Sequence, residues 1–151
     1  MVIKTIIVDD EEIWRELAQS YLTVNEEVKI VAQCTSAKEA LKILTEKEVD
    51  MMLLDVQMQD ISGISLAKSL KKPPHIVLMT SHPEFAVDGF DIEAVDFMVK
   101  PFTFERLMMA VERVKKRVVL EKEATNSEEV RFSERIISFL CAHRQLCQDF
   151  F

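Results

Sequence analysis

Asp9 and Asp10 form an acidic pair near the start of the chain, and a third carboxylate, Asp55, follows a wholly apolar run, Met51-Met52-Leu53-Leu54. Two hydroxyls, Thr80 and Ser81, and one lysine, Lys100, each close a later apolar run. Brought together, these side chains would make a site for moving a phosphoryl group. Clustered carboxylates repel one another, so a hard divalent cation is expected among them, and Mg²⁺ favours oxygen ligands while keeping several waters. With that charge compensated, one carboxylate can act as nucleophile toward phosphorus. Asp55 is the best placed, at the end of the most central apolar run. The Thr80 hydroxyl and the Lys100 ammonium are then suited to hold the oxygens of the new phosphate.

The elements that would position these residues alternate along the chain. Strands are expected at Val2–Val8, Val28–Cys34, Val49–Leu54, His75–Met79 and Ala94–Val99. The third is apolar on both faces, as a central strand covered on each side should be. A helix is expected from Glu11 to about Leu22, with Ile13, Leu17 and Tyr21 on one face. A second follows Ser36, where Glu39 completes a capping box. Gly63 opens a third, Pro83 a short fourth reaching about Phe90, and Thr103 caps the last, whose stripe is Phe104, Leu107, Met108, Val111, Val114 and Val118. Such alternation predicts an α/β fold, a five-stranded parallel sheet with helices on both faces. Right-handed crossovers favour the flavodoxin-like order 2-1-3-4-5. In such sheets ligands bind at the carboxyl ends of the strands, and every candidate residue lies there.

The rest of the chain narrows the options. With 151 residues there is room for one domain, expected at residues 1–120, and a short extension at 121–151 read as a polar linker, Glu121–Glu129, and a tail, Phe132–Phe151, whose mixed pattern fits helix, strand or a frayed end. A net charge of −7 argues against nucleic-acid binding through a broad basic surface. The run Lys115-Lys116-Arg117 fits a solvated helix end that complements the dipole. Two glycines leave no Gly-rich phosphate loop, and Cys34, Cys141 and Cys147 match neither a disulfide framework nor a zinc site. No apolar run approaches the ~18 residues of a membrane span, and the opening Met1-Val2-Ile3-Lys4-Thr5 is not that of a signal peptide, so a cytoplasmic protein is expected. Trp14 reads as a helix-face residue near the acidic pair.

Asp9-Asp10, Leu53-Leu54-Asp55, Gly63, Thr80-Ser81 and Lys100-Pro101-Phe102, in this order and at these strand ends, resemble the receiver domain of bacterial two-component response regulators. The resemblance covers residues 1 to about 120. It implies that Asp55 is the phosphoacceptor, charged by a sensor histidine kinase. Asp10 would bind Mg²⁺ directly, Asp9 would assist, and the backbone carbonyl of Gln57 would complete the protein ligands beside Asp55. Lys100 would pair with Asp55 or its phosphate. Thr80 and Phe97 would be the switch residues, and the Lys100-Pro101 bond would be cis. A homodimer through the face of helix 4, strand 5 and helix 5 is implied as well. The stretch from Pro83 to Phe102 is similar to receivers of the LytTR subgroup, which carry a DNA-binding β-domain after the receiver. The residues after Leu120 are too few for that domain, so DNA contact is expected only through an output domain largely missing here, of which Phe139–Phe151 would be at most the first strand. Gln59 stands where the family often has proline, and Phe97 where tyrosine is frequent. Gln57 and His82 occupy positions that tune phosphate lifetime in the family. Two other functions fit parts of the pattern. A haloacid-dehalogenase-type phosphatase would need an acid at position 57, which is glutamine. A receiver-like binding module that is never phosphorylated would not need the complete set Asp9, Asp10, Asp55, Thr80 and Lys100.

Overall fold

The computed structural model describes residues 1–148, and of 127–130 and 139–148 the backbone alone. The elements run β1 (Ile3–Val8), α1 (Glu12–Leu22), β2 (Val28–Cys34), α2 (Ala37–Glu46), β3 (Met51–Asp55), α3 (Gly63–Ser69), β4 (His75–Thr80), a 3-10 turn (Pro83–Phe85), α4 (Ala86–Asp91), β5 (Asp96–Val99) and α5 (Phe104–Gln148). All strand pairs are parallel and the order is β2-β1-β3-β4-β5, as expected. The register brings the strand ends level: Val8 lies beside Leu54, Asp55 beside Met79, and Thr80 beside Val99.

Burial explains why these segments became strands. Every residue of β3 is buried, which leaves apolar side chains on both faces of the central strand. Ile6, Val8, Met52, Leu54 and Leu78 form one packed cluster with Ala37, Ala40, Leu66 and Ala67 of the flanking helices. Local signals set several helix starts. The Ser36 hydroxyl accepts from the Glu39 N–H at 3.2 Å. Glu39 reaches back one residue further than the capping-box reading places it, to the N–H and hydroxyl of Thr35 at 2.9 and 3.0 Å. The Thr103 hydroxyl accepts from the Arg106 N–H at 3.2 Å and so caps α5.

Two expectations are corrected. The buried side of α1 carries Ala18 and Leu22, with Trp14, Leu17 and Tyr21 half-buried, while Ile13 faces solvent. The apolar stripe is therefore rotated by one position. Helix α5 does not end near Leu120: the backbone stays helical through the expected linker to Gln148. Nothing after Pro101 breaks it, because the remaining sequence holds neither glycine nor proline and is rich in Glu, Lys, Arg, Leu and Ala, all good helix formers. The backbone of 139–148 is helix, one of the conformations left open for Phe132–Phe151, and not the strand considered for Phe139–Phe151; 149–151 lie outside the described residues. By its contacts the chain divides into two units, Met1–Lys115 with the sheet and Lys116–Phe151. Among the described residues no helix is long and apolar enough to cross a membrane.

Candidate phosphoacceptor and metal site

The sheet order places the end of β1 next to that of β3, and the Lys100 side chain reaches both from the loop after β5, on the far side of β4. Asp9 follows β1 directly and its N–H donates to the Cys34 carbonyl at 3.0 Å. Its carboxylate is fully buried and accepts from the Glu11 N–H at 2.9 Å, which orients it as α1 begins. Asp55 closes β3 and is 4 % exposed. Carboxylate oxygens of Asp9, Asp10 and Asp55 lie within 4.8 Å of one another. Lys100, after β5, enters between two of them: its Nζ donates to Asp9 Oδ2 at 2.7 Å and to Asp55 Oδ1 at 3.3 Å. The Lys100 N–H donates to the Thr80 carbonyl at 2.8 Å, which ties the lysine to the end of β4.

Three carboxylates against one ammonium leave the site short of positive charge. Burial, and then repulsion from Asp9, push the Asp55 carboxyl up to about 6 against the pull of Lys100 and the Gln57 N–H. The donor set is therefore all oxygen, clustered and under-neutralised, and it suits a hard divalent cation.

The remaining sequence candidates fall around this centre. The Gln57 N–H donates to Asp55 Oδ1 at 3.4 Å. Thr80 is buried at the end of β4, with its hydroxyl accepting from the His82 N–H at 3.1 Å. Phe97 lies half-buried in β5 beside Leu78. The Lys100-Pro101 bond is cis. The structure thus gathers Asp9, Asp10 and Asp55, with Lys100 paired to Asp9 and Asp55, Gln57 on the Asp55 carboxylate and Thr80 on the neighbouring strand end.

Four contacts went unread in the sequence. Arg15 Nη1 donates to the Asp9 carbonyl at 2.7 Å, and the Trp14 ring centroid lies 5.1 Å from Lys100 Nζ. Both residues sit one helical turn beyond the acidic pair, and that proximity was the only available signal. Asp60, in the loop after β3, accepts from the N–H groups of Ala37 and Lys38 at 3.3 and 3.2 Å, so it anchors that loop to the start of α2. Asp96 is clamped by Arg106 and Arg113 of α5.

The profile of the response regulator receiver domain matches residues 5–112. The chain belongs to the response-regulator receiver family. Its curated relatives include the sensory transduction protein LytR of Staphylococcus haemolyticus, 36 % identical over 130 residues that cover 84 % of this chain and 48 % of the relative. The LytT protein of Bacillus cereus is 33 % identical over 119 residues, 77 % of this chain and 48 % of its own. The receiver therefore resembles those of LytR and LytT, and the chain spans about half the length of these relatives. Among solved structures, the receiver domain of AraT from Geobacillus stearothermophilus matches with a TM-score of 0.74 at 27 % identity, covering 81 % of this chain and 99 % of that one. The response regulatory domain of mrkE from Klebsiella pneumoniae matches with a TM-score of 0.70, also at 27 % identity, over 76 % and 97 %. The fold is that of receivers, the flavodoxin-like sheet order included.

Proposed function

We propose that this receiver is a phosphorylation switch whose acceptor is Asp55, charged by a sensor histidine kinase. The observation that carries the reading is the buried Lys100 ammonium held between Asp9 and Asp55, with Asp10 alongside. Asp9, Asp10, Asp55 and the Gln57 carbonyl would hold Mg²⁺, which when bound supplies positive charge opposite the oxygens of the phosphoryl group in transfer. An Asp55 carboxylate oxygen attacks phosphorus. The P–O bond to Asp55 forms as the P–N bond to the donor imidazole breaks, and the electron pair stays on the imidazole nitrogen. Lys100 then turns from pairing with the free carboxylate to pairing with a phosphate oxygen, and the Thr80 hydroxyl takes another.

Loss of the Lys100–Asp55 pair and inward movement of Thr80 free space for Phe97, which has no hydroxyl and switches by packing alone. Phosphorylation so shifts the population between two states of the face formed by α4, β5 and the start of α5. That face is proposed to form a homodimer in the phosphorylated state. Residues 1–120 are taken as the receiver and 121–151 as the connection to an output domain through which the full-length protein would contact DNA. The protein is taken to work in the cytoplasm as a switch and not as a turnover catalyst; a phosphatase of haloacid-dehalogenase type is disfavoured by Gln57 in the position of its general acid.

The test is intact mass after incubation with acetyl phosphate, with and without Mg²⁺, for the wild type and for Asp55→Asn. One phosphate that requires Mg²⁺ and is absent from the variant is expected. A wild type that stays unlabelled while another receiver in the same tube is labelled would leave the non-phosphorylated binding module as the better reading.

A further inference from the structure

We propose that Trp14 is a positioning residue for phosphoryl transfer, holding the Lys100 ammonium in place through the face of its indole ring. This role rests on the phosphotransfer reading above. The Lys100 side chain is 3 % exposed, and its Nζ meets Asp9 on one side and Asp55 on another. The Trp14 ring covers it at 5.1 Å from the centroid. That ring is itself held: it lies 6.2 Å from the buried Phe102 ring, tilted by 37°, and Tyr21 meets the same phenyl edge-on at 6.2 Å.

The chemistry of the ring suits the task. A lysine stem has four rotatable carbons, and its ammonium is strongly hydrated in water. Fixing it needs an attractive surface that admits no water. A carboxylate there would take one of its hydrogen bonds and compete with the acceptor. An aliphatic side chain would exclude water yet offer the charge nothing. An indole face attracts a cation through its quadrupole and accepts no conventional hydrogen bond. It therefore leaves the ammonium's N–H groups for Asp9, for Asp55 and, after transfer, for a phosphate oxygen. The neighbouring residue works on the other partner, since Arg15 holds the Asp9 carbonyl at 2.7 Å. The first turn of α1 thus grips both the lysine and the backbone of the carboxylate that faces it.

The test uses a small donor, phosphoramidate with Mg²⁺, so that kinase docking plays no part. Labelling of Asp55 is followed by intact mass for the wild type, Trp14→Phe, Trp14→Leu and Trp14→Met, each with its thermal midpoint. Phe is expected to label within about twofold of the wild-type rate, and Leu and Met about threefold to tenfold more slowly, the range of a partly desolvated cation–π contact. Leu and Met labelling at the wild-type rate would overturn the role, as would Phe falling to the Leu rate. A second readout is independent of activity and of folding defects at position 14. Trp14 is the chain's one tryptophan, so Lys100→Met is expected to change its emission by removing the ammonium from the ring. Unchanged emission would overturn the contact itself. A wild type that takes no phosphate from phosphoramidate, while another receiver does, refutes the phosphotransfer reading and this role with it; slow Leu and Met variants beside a labelled wild type cannot be confused with that result.

Discussion

Gly63 opens α3 against the carbonyl of Asp55, the proposed phosphoacceptor. A Cβ there would collide with the Asp55 carbonyl oxygen and come within 3.0 Å of the Leu54 side chain, and the Gly63 N–H already donates to the Val56 carbonyl at 2.8 Å. The obstacle is backbone, so it cannot rotate away as a side chain would. Gly63→Ala is expected to cost about 1–3 kcal/mol, the usual toll of overpacking, read as a lower urea midpoint. The same strain falls on Asp55, the proposed acceptor, so the acetyl phosphate labelling rate should drop in the folded fraction. An alanine variant as stable and as quickly labelled as the wild type would show that α3 can slide away. The charged centre was legible in the sequence because Asp9, Asp10, Asp55 and Lys100 all follow apolar runs, and a parallel sheet aligns such ends. The sequence marked Gly63 as a helix start and as part of the receiver-like pattern, with no physical reason for a glycine there. Its collision with Asp55 depends on how closely a helix approaches a strand, which no spacing records.

Between elements, the link from β5 to α5 rests on one carboxylate. Asp96 Oδ2 and Oδ1 accept from Arg106 Nη1 and Nη2 at 2.8 and 2.7 Å, Arg113 adds a contact at 2.9 Å, and Arg106 also reaches the Phe97 carbonyl at 2.9 Å. Burial pushes the Asp96 carboxyl up, but the Arg106 hydrogen bonds, the Phe97 N–H and the two guanidinium charges outweigh it and hold it below the usual carboxylate range. The unfolded chain binds that proton more readily, near ~3.9. The clamp therefore contributes its full stability above that value and loses it as the pH falls through the lower folded value. Asp96→Asn is expected to cost about 1–3 kcal/mol at neutral pH. Arg113, half exposed, supplies the smaller part because water screens it. In urea titrations across the acid range the difference from wild type should shrink below pH ~4. A cost independent of pH would mean that packing, not charge, joins these elements. The sheet was readable because apolar runs of strand length leave little choice. The extent of α5 was not, because a polar, charged stretch such as Glu121–Glu129 reads equally as linker or as solvated helix until the absence of a breaker is weighed.

For the molecule as a whole, the question is what two copies would meet. Phe90 is 83 % and Val87 71 % exposed on α4, Val99 is 42 % exposed on β5 and Met109 52 % on α5. Asp96, Arg106 and Arg113 already pair within the chain, and the charges on α4 itself, Asp88 and Asp91, are both acidic. The exposed apolar side chains of α4, β5 and α5 are what the proposed dimer face offers for burial, and two acidic α4 helices brought together add repulsion. Two chains of net charge −7 also repel. A dimer must then draw its stability from apolar burial, and salt should favour it by screening the repulsion. Burying a phenylalanine side chain stabilises by about 2 kcal/mol, so Phe90→Asp is expected to weaken the phosphorylated dimer by at least roughly thirtyfold. Sedimentation of the phosphorylated protein at several concentrations measures this. Labelling of Asp55 should be unchanged, since α4 contributes no group to the charged centre. If instead the wild-type dimer dissociates as salt is raised, ion pairs hold it, and if Phe90→Asp dimerises as well as the wild type, the copies meet elsewhere. A phosphorylated wild type that stays monomeric at every concentration would remove dimerisation from the switch and leave the apolar face to a different partner.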